Sequence, residues 1–223
     1  MLKSNGMIET IKAEAAFTCS WTGRKMLDAS VLLAMSEVPR DKFVPRGAKA
    51  FAYDNHPLSI GFGQTISQPF IVALMTDLLQ PQAADVILEV GTGSGYQAAI
   101  LSQLVKQVYS IEYVEELATS ASERLQRLGY RNVEVKEGDG SLGWAEHAPY
   151  DGIIVTAAAP AIPPALIDQL KPNARLVIPL GQPYLSQSLM SVEKDEKGAV
   201  STRDVLAVSF VPLVGESSSC VGE

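Results

Sequence analysis

Residues 85–112 read DVILEVGTGSGYQAAILSQLVKQVYSIE. The opening run DVILEV (85–90) is short and almost wholly apolar, the pattern of a strand buried on both faces. Gly91, Gly93 and Gly95 follow at once, residues 96–105 then read as helix, and QVYSIE (107–112) as a second strand. Glycines between a strand and a helix permit a tight turn. They also let a ligand approach the backbone where a Cβ would clash. In that context a cofactor-binding turn is favoured over a turn that serves packing alone.

The alternation continues toward the C-terminus. VEELATSASERLQRLG (114–129) is an amphipathic helix with Leu117, Ala121, Leu125 and Leu128 on one stripe and Gly129 as its C-terminal cap. Further strands are expected at 133–138, 151–156 and 175–181, the last after a helix around 164–170. Strand and helix in turn predict an α/β fold, Rossmann-like, with a mostly parallel, doubly wound sheet. Residues 186–194 and 203–213 flank the turn-prone DEKGAVST and predict an antiparallel hairpin at the sheet edge. Residues 216–223 read as a mobile tail.

Upstream, a helix is expected from Pro69 to Leu79, with proline at its favoured first position. Residues 53–69 hold two glycines and two prolines without a clear period. Long loops in compact domains are usually functional or disordered, and Ile60, Phe62 and Ile66 predict that this one is ordered and packed. A helix over 24–38 ends at Pro39, and the first twenty residues say little. The expected organisation is one catalytic domain over 1–223. In it, an N-terminal helical region and lid extend to residue 80 and a core covers 81–215.

Composition narrows the functions. Of 223 residues, 47% are hydrophobic and 19% charged, which excludes a disordered chain. The net charge of -7 disfavours a nucleic-acid partner. Two cysteines, Cys19 and Cys220, and two histidines, His56 and His147, leave no disulfide framework and no metal cluster. No apolar run suggests a membrane span and no signal peptide is evident. A soluble, cytoplasmic protein, working as a monomer, is expected.

Three acids sit at successive strand ends. Glu89 lies two positions before the first glycine, Glu112 ends the next strand, and Asp139 lies between Gly138 and Gly140. Glu112 can accept hydrogen bonds from both ribose hydroxyls of an adenosine. Asp139 is suited to the adenine amino group. Carboxylates near a pyrophosphate would repel it but suit an ammonium and a sulfonium. S-adenosylmethionine is therefore the expected cofactor, ahead of a nicotinamide dinucleotide.

The acceptor is read from two segments. Enzymes that methylate amide or amine nitrogens commonly carry Asn/Asp-Pro-Pro-aromatic after the fourth strand, where this chain has TAAAP (156–160). A carboxylate is already ionised at neutral pH and needs no general base, only positioning. The hydroxyls of Gln64-Thr65-Ile66-Ser67-Gln68 precede a helix N-terminus, which favours an anion. Ser67 is equally an ordinary helix cap by these criteria.

These residues carry a resemblance. VPRDKFVP, SIGFGQTISQPFIVALMTDLL, LEVGTGSGYQAAIL, GDG, YDGIIVTAAAP, LKPNARLVIPLG and FVPL together resemble the protein-L-isoaspartate O-methyltransferase family from about Val31 to Leu213. GxGxG is shared by many methyltransferases; TISQP joined to TGSGYQAA and VTAAAP is specific to this one. The stretch through Met26 departs from the family's usual pattern. The resemblance implies methyl transfer from S-adenosylmethionine to the free α-carboxylate of L-isoaspartyl residues in damaged proteins and peptides. The ester then closes to a succinimide whose hydrolysis partly restores aspartate. It further implies Ser67 in the active site, with Gln64, Thr65, Ile66 and Ser67 facing the substrate. Thr65 and Ile66 line the cleft between donor and acceptor. Gly91, Gly93 and Gly95 hold the methionine part, Glu112 the ribose, and Asp139 with Gly140 the adenine. Residues 53–69 become a lid. A methyltransferase for another small carboxylate or a phenol, and a non-catalytic S-adenosylmethionine-binding protein, are the alternatives.

Overall fold

The computed structural model describes residues 2–182 and 185–215. Their centre is a seven-stranded sheet in the order β5-β4-β3-β6-β7-β8-β9. The strands are β3 (Val86–Val90), β4 (Gln107–Glu112), β5 (Val133–Glu137), β6 (Tyr150–Val155), β7 (Leu170–Gly181), β8 (Gln187–Lys194) and β9 (Val200–Val208). Strands β3 to β7 pair in parallel, while β7–β8 and β8–β9 are antiparallel. The chain runs outward from β3 to β5 and then returns to β6 on the other side of β3. That reversal opens a crevice beyond the carboxyl ends of β3, β4 and β6.

Helices α4 (Tyr96–Ser102), α5 (Glu115–Leu128) and α6 (Pro164–Asp168) connect the strands. Helix α3 (Pro69–Leu79) is buried along its whole length. Predominantly apolar and buried on every side, α3 lies between the sheet and the N-terminal helices, with its one acid, Asp77, paired with Arg24.

Helix α1 (Leu2–Thr22), which sequence reasoning missed, is the longest element. Met7, Ile11, Ala15, Thr18 and Thr22 form its buried stripe. Phe17 and Trp21, exposed at 77% and 59%, stand outside that stripe and obscure its period. The expected 24–38 helix begins later, as α2 (Ala29–Glu37), because Asp28 caps it by accepting from Ser30 N–H at 2.8 Å. Residues 53–69 contain a small antiparallel hairpin, β1 (Leu58–Gly61) and β2 (Gln64–Ile66), as well as loop.

Two further expectations are corrected at the C-terminal end. Strand β7 starts five residues before the expected Arg175, at Leu170. The hairpin's second strand occupies 200–208, not 203–213. FVPL leaves the sheet and runs beside Ala158, whose N–H donates to Val211 O at 2.8 Å and whose carbonyl accepts from Leu213 N–H at 2.8 Å. Val211, Pro212 and Leu213 line the crevice, while Phe210 is held by the side chain of Gln187 in β8. The tail 216–223, with Cys220, lies outside the described residues. No helix among the described residues is long and apolar enough to cross a membrane.

Candidate active site

A cleft with an empty volume of ≈ 770 Å³, open mouth included, occupies the crevice. The glycine turn forms its floor, the hairpin residues 64–67 one side and residues 211–214 another.

The floor is shaped by contacts within the chain. Gly91 and Gly95 have φ +92° and +84°, values that side chains disfavour. A Cβ at Gly91 would also collide with the Thr156 hydroxyl, which donates to Gly91 O at 2.5 Å. Glu112, buried at the end of β4, accepts from Gly93 N–H at 2.7 Å through Oε2 and from Val114 N–H at 3.0 Å through Oε1. Each oxygen keeps a further lone pair for a ligand hydroxyl. Opposite, a Cβ at Gly140 would overlap Val90, so glycine there keeps the wall thin.

Ser67 is fixed through its backbone. Arg40 has no solvent exposure, and its Nη2 donates to Ser67 O at 2.7 Å while Nε donates to Ala52 O at 2.8 Å. The guanidinium lies 4.8 Å from the Tyr96 ring centroid. Burial lowers the Arg40 pKa and pushes the Tyr96 phenol up to about 12. The ring face offers the cation a partner that survives desolvation.

Of the residues expected at the site, Gln64, Thr65, Ile66, Ser67, Gly91, Gly93, Glu112 and Gly140 all line the cleft. Glu89, Gly95 and Asp139 stand behind its wall. Glu89 is fully buried between β3 and β4 and accepts a short hydrogen bond from Ser110, which in turn meets the Thr92 hydroxyl at 2.6 Å. Burial, with Glu112 nearby, pushes the Glu89 carboxyl up to about 8. Burial thus disfavours its ionisation, and Glu89 braces the glycine turn from behind without facing the cleft. Side chains alternate along a strand, so Val90 faces the cleft while Glu89 points away. Gly95 opens α4, and a Cβ there would press on Leu125 of α5 at 3.2 Å, a helix-packing constraint. Asp139 Oδ1 accepts from Ser141 N–H at 2.9 Å and Ser141 Oγ at 2.7 Å, and the carboxylate lies against Gly215. It shapes the loop that carries Gly140.

Among the described residues, the cleft lining contains no lysine, arginine or histidine, and Glu112 is its one carboxylate. A diphosphate would meet an acid and no cation there, whereas an ammonium–sulfonium donor meets a compatible charge. His147 is stacked on Tyr109, ring centroids 3.8 Å apart, away from the cleft, and His56 is exposed. Among the described residues no three His, Cys, Asp or Glu side chains gather as a metal site.

Comparison with known proteins fits this geometry. Residues 14–218 match the family model for protein-L-isoaspartate(D-aspartate) O-methyltransferase (PCMT). The chain belongs to that family. It is 60% identical over 210 residues to protein-L-isoaspartate O-methyltransferase 2 of Nitrosococcus oceani, covering 94% of this chain and 95% of the relative. The enzyme of the same name from Syntrophobacter fumaroxidans is 58% identical over 209 residues, 94% and 85% of the two chains. A solved protein-L-isoaspartate O-methyltransferase superposes with TM-score 0.83 at 25% identity, over 95% of this chain and 66% of that one. A Plasmodium falciparum structure described as a beta-aspartate methyltransferase (PCMT) in complex with S-adenosyl-L-homocysteine shares the fold. Its TM-score is 0.77 at 24% identity, with 94% and 97% covered.

Within the PCMT frame, sequence reasoning missed Arg40 and the wall formed by Thr156 and residues 211–214. In VPRDKFVP a buried arginine without an acidic partner leaves no signal that sequence reasoning could use. In TAAAP, Thr156 locks Gly91, a contact across 65 residues of chain.

Proposed function

We propose that this chain transfers a methyl group from S-adenosylmethionine to the free α-carboxylate of L-isoaspartyl residues in damaged proteins and peptides, starting their repair through a succinimide. We place it in the cytoplasm as a monomeric single-domain catalyst, with no nucleic-acid or membrane partner. The observation that carries the reading is a cleft whose lining, among the described residues, holds one carboxylate, the hydroxyls of Thr65 and Ser67, and no cation or imidazole. The donor supplies an electrophilic methyl group when bound.

In this reading Glu112 binds the ribose hydroxyls and the turn at Gly91 and Gly93 receives the methionine part. Gly140 borders the adenine, with Asp139 and Gly95 shaping the walls and Glu89 bracing the floor. The acceptor carboxylate is ionised well below neutrality, so the missing imidazole costs nothing. Ser67 and Thr65 donate hydrogen bonds that orient it, and Gln64 and Ile66 border it. Orientation of this kind contributes by pre-organising the attack. The 53–69 segment excludes water that would compete for the space.

The test is a methyl-transfer assay offering an isoaspartyl peptide, its aspartyl counterpart and free organic acids. Selective methylation of the first is expected, and preference for a free acid would favour the small-carboxylate alternative. Ser67→Ala should lower turnover while cofactor affinity survives; unchanged turnover removes Ser67 from the active site.

A further inference from the structure

Helix α1 contributes no residue to the cleft lining, yet one of its side chains reaches the segment that bears Ser67. Both Glu14 oxygens accept from Gln68 Nε2, at 3.2 and 3.3 Å. Glu14 Oε2 also accepts a short hydrogen bond from Asn55 Nδ2. Asn55 Oδ1 in turn accepts from Phe70 N–H at 3.0 Å. That N–H is an orphan donor in the first turn of α3, whose N-cap residue, Gln68, provides no capping bond from its own side chain.

One carboxylate therefore ties Asn55, near the start of the lid, to Gln68, near its end, and Ser67 immediately precedes Gln68. A carboxylate suits that task because it only accepts, on two oxygens, and both partners present amide donors. The helix itself is anchored independently, through Met7, Ile11, Ala15 and Thr18 on the buried stripe.

We infer that Glu14 is a positioning residue for the methyl transfer: it clamps the base of the 55–68 lid and so fixes Ser67 over the cleft. The inference rests on the reading of Ser67 as the group that orients the acceptor. Arg40 holds the Ser67 carbonyl, and the Glu14–Gln68 contact holds the residue that follows it.

The test compares the full chain with Glu14→Ala, Glu14→Gln, Gln68→Ala and the Glu14→Ala/Gln68→Ala double variant. Glu14→Ala should lower kcat on an isoaspartyl peptide by about 10- to 100-fold, the scale of a small misplacement at a reacting centre. Affinity for S-adenosylhomocysteine and the melting temperature should stay near wild type. Glu14→Gln should recover part of the loss, since its amide oxygen still accepts. The double variant should be no worse than Glu14→Ala, as for two residues in one hydrogen-bond chain. Amide exchange across 55–68 should quicken in Glu14→Ala without any ligand.

Unchanged turnover and exchange, additive losses in the double variant, or a parallel fall in ligand affinity and melting temperature would each overturn the inference. If the wild type fails to methylate isoaspartyl peptide, the functional reading fails, and the exchange comparison still decides whether the clamp exists.

Discussion

Gly93 donates its N–H to Glu112 Oε2 at 2.7 Å, joining the turn after β3 to the end of β4. A single carboxylate thereby sets the shape of the floor and presents lone pairs to an incoming ligand. Replacing it removes both. Glu112→Gln keeps the volume but exchanges one acceptor for a donor that would face the Gly93 or Val114 N–H. Titration calorimetry with S-adenosylhomocysteine should show affinity reduced by about 10- to 100-fold, the range for hydrogen bonds to a charged group. Wild-type affinity would show that the ribose lies elsewhere.

Glu89 makes stability depend on pH. Its carboxyl is raised in the folded chain from an ordinary 4.5 to about 8 by burial. Between those values the folded state holds a proton that the unfolded state has released. The stabilising contribution is therefore complete below about 4.5 and is lost as pH rises through about 8. Glu89→Gln imitates the protonated form and titrates nowhere. In denaturant titrations, its stability relative to wild type should grow by a few kcal/mol in order of magnitude from pH 5 to pH 8. A difference that stays constant across that range would mean that the buried carboxyl is ionised.

Arg40 satisfies two carbonyls from one buried position. Arg40→Met fills the space and preserves contact with Tyr96 but leaves both carbonyls without their donor. The cost should be about 1–3 kcal/mol for each group left unsatisfied. Turnover should fall further than stability explains, because one of those carbonyls belongs to Ser67. Arg40→Lys can reach only one of the two and should fall between. The check is kcat on isoaspartyl peptide set beside chemical denaturation for all three proteins.

At Gly91 two costs are separable. Gly91→Ala must adopt φ +92° and also displaces the Thr156 hydroxyl. Backbone strain of that type costs about 1–3 kcal/mol. Adding Thr156→Ala removes the collision and should recover part of the lost stability, leaving the backbone cost. Full recovery in the double variant would show that the conformation at Gly91 is unstrained.

Much of the fold was legible in the sequence because the core strands are nearly continuous apolar runs separated by helical stripes. DVILEV, QVYSIE and the 114–129 stripe reveal their class wherever they end up in space. The glycine turn, Glu112 and the hydroxyl segment 64–67 could likewise be placed, since strand ends and turns are local features. Helix α1 escaped because Phe17 and Trp21 are exposed against the expected pattern, so no clean period remained.

Sequence by itself thus determined the alternation, the sheet and the approximate site, all of which follow from chemistry repeated along a few neighbouring residues. Tertiary structure alone decided which side of a strand each acid faces, turning Glu89 into a buried brace while Glu112 entered the cleft. It also decided that Val211, Pro212 and Leu213 would line the cleft beside Ala158, that Arg40 would hold Ser67, and that Glu14 would meet Gln68 across 54 residues of chain. Those relationships join segments distant in sequence, and burial or pairing between such segments exists only once the layers have packed.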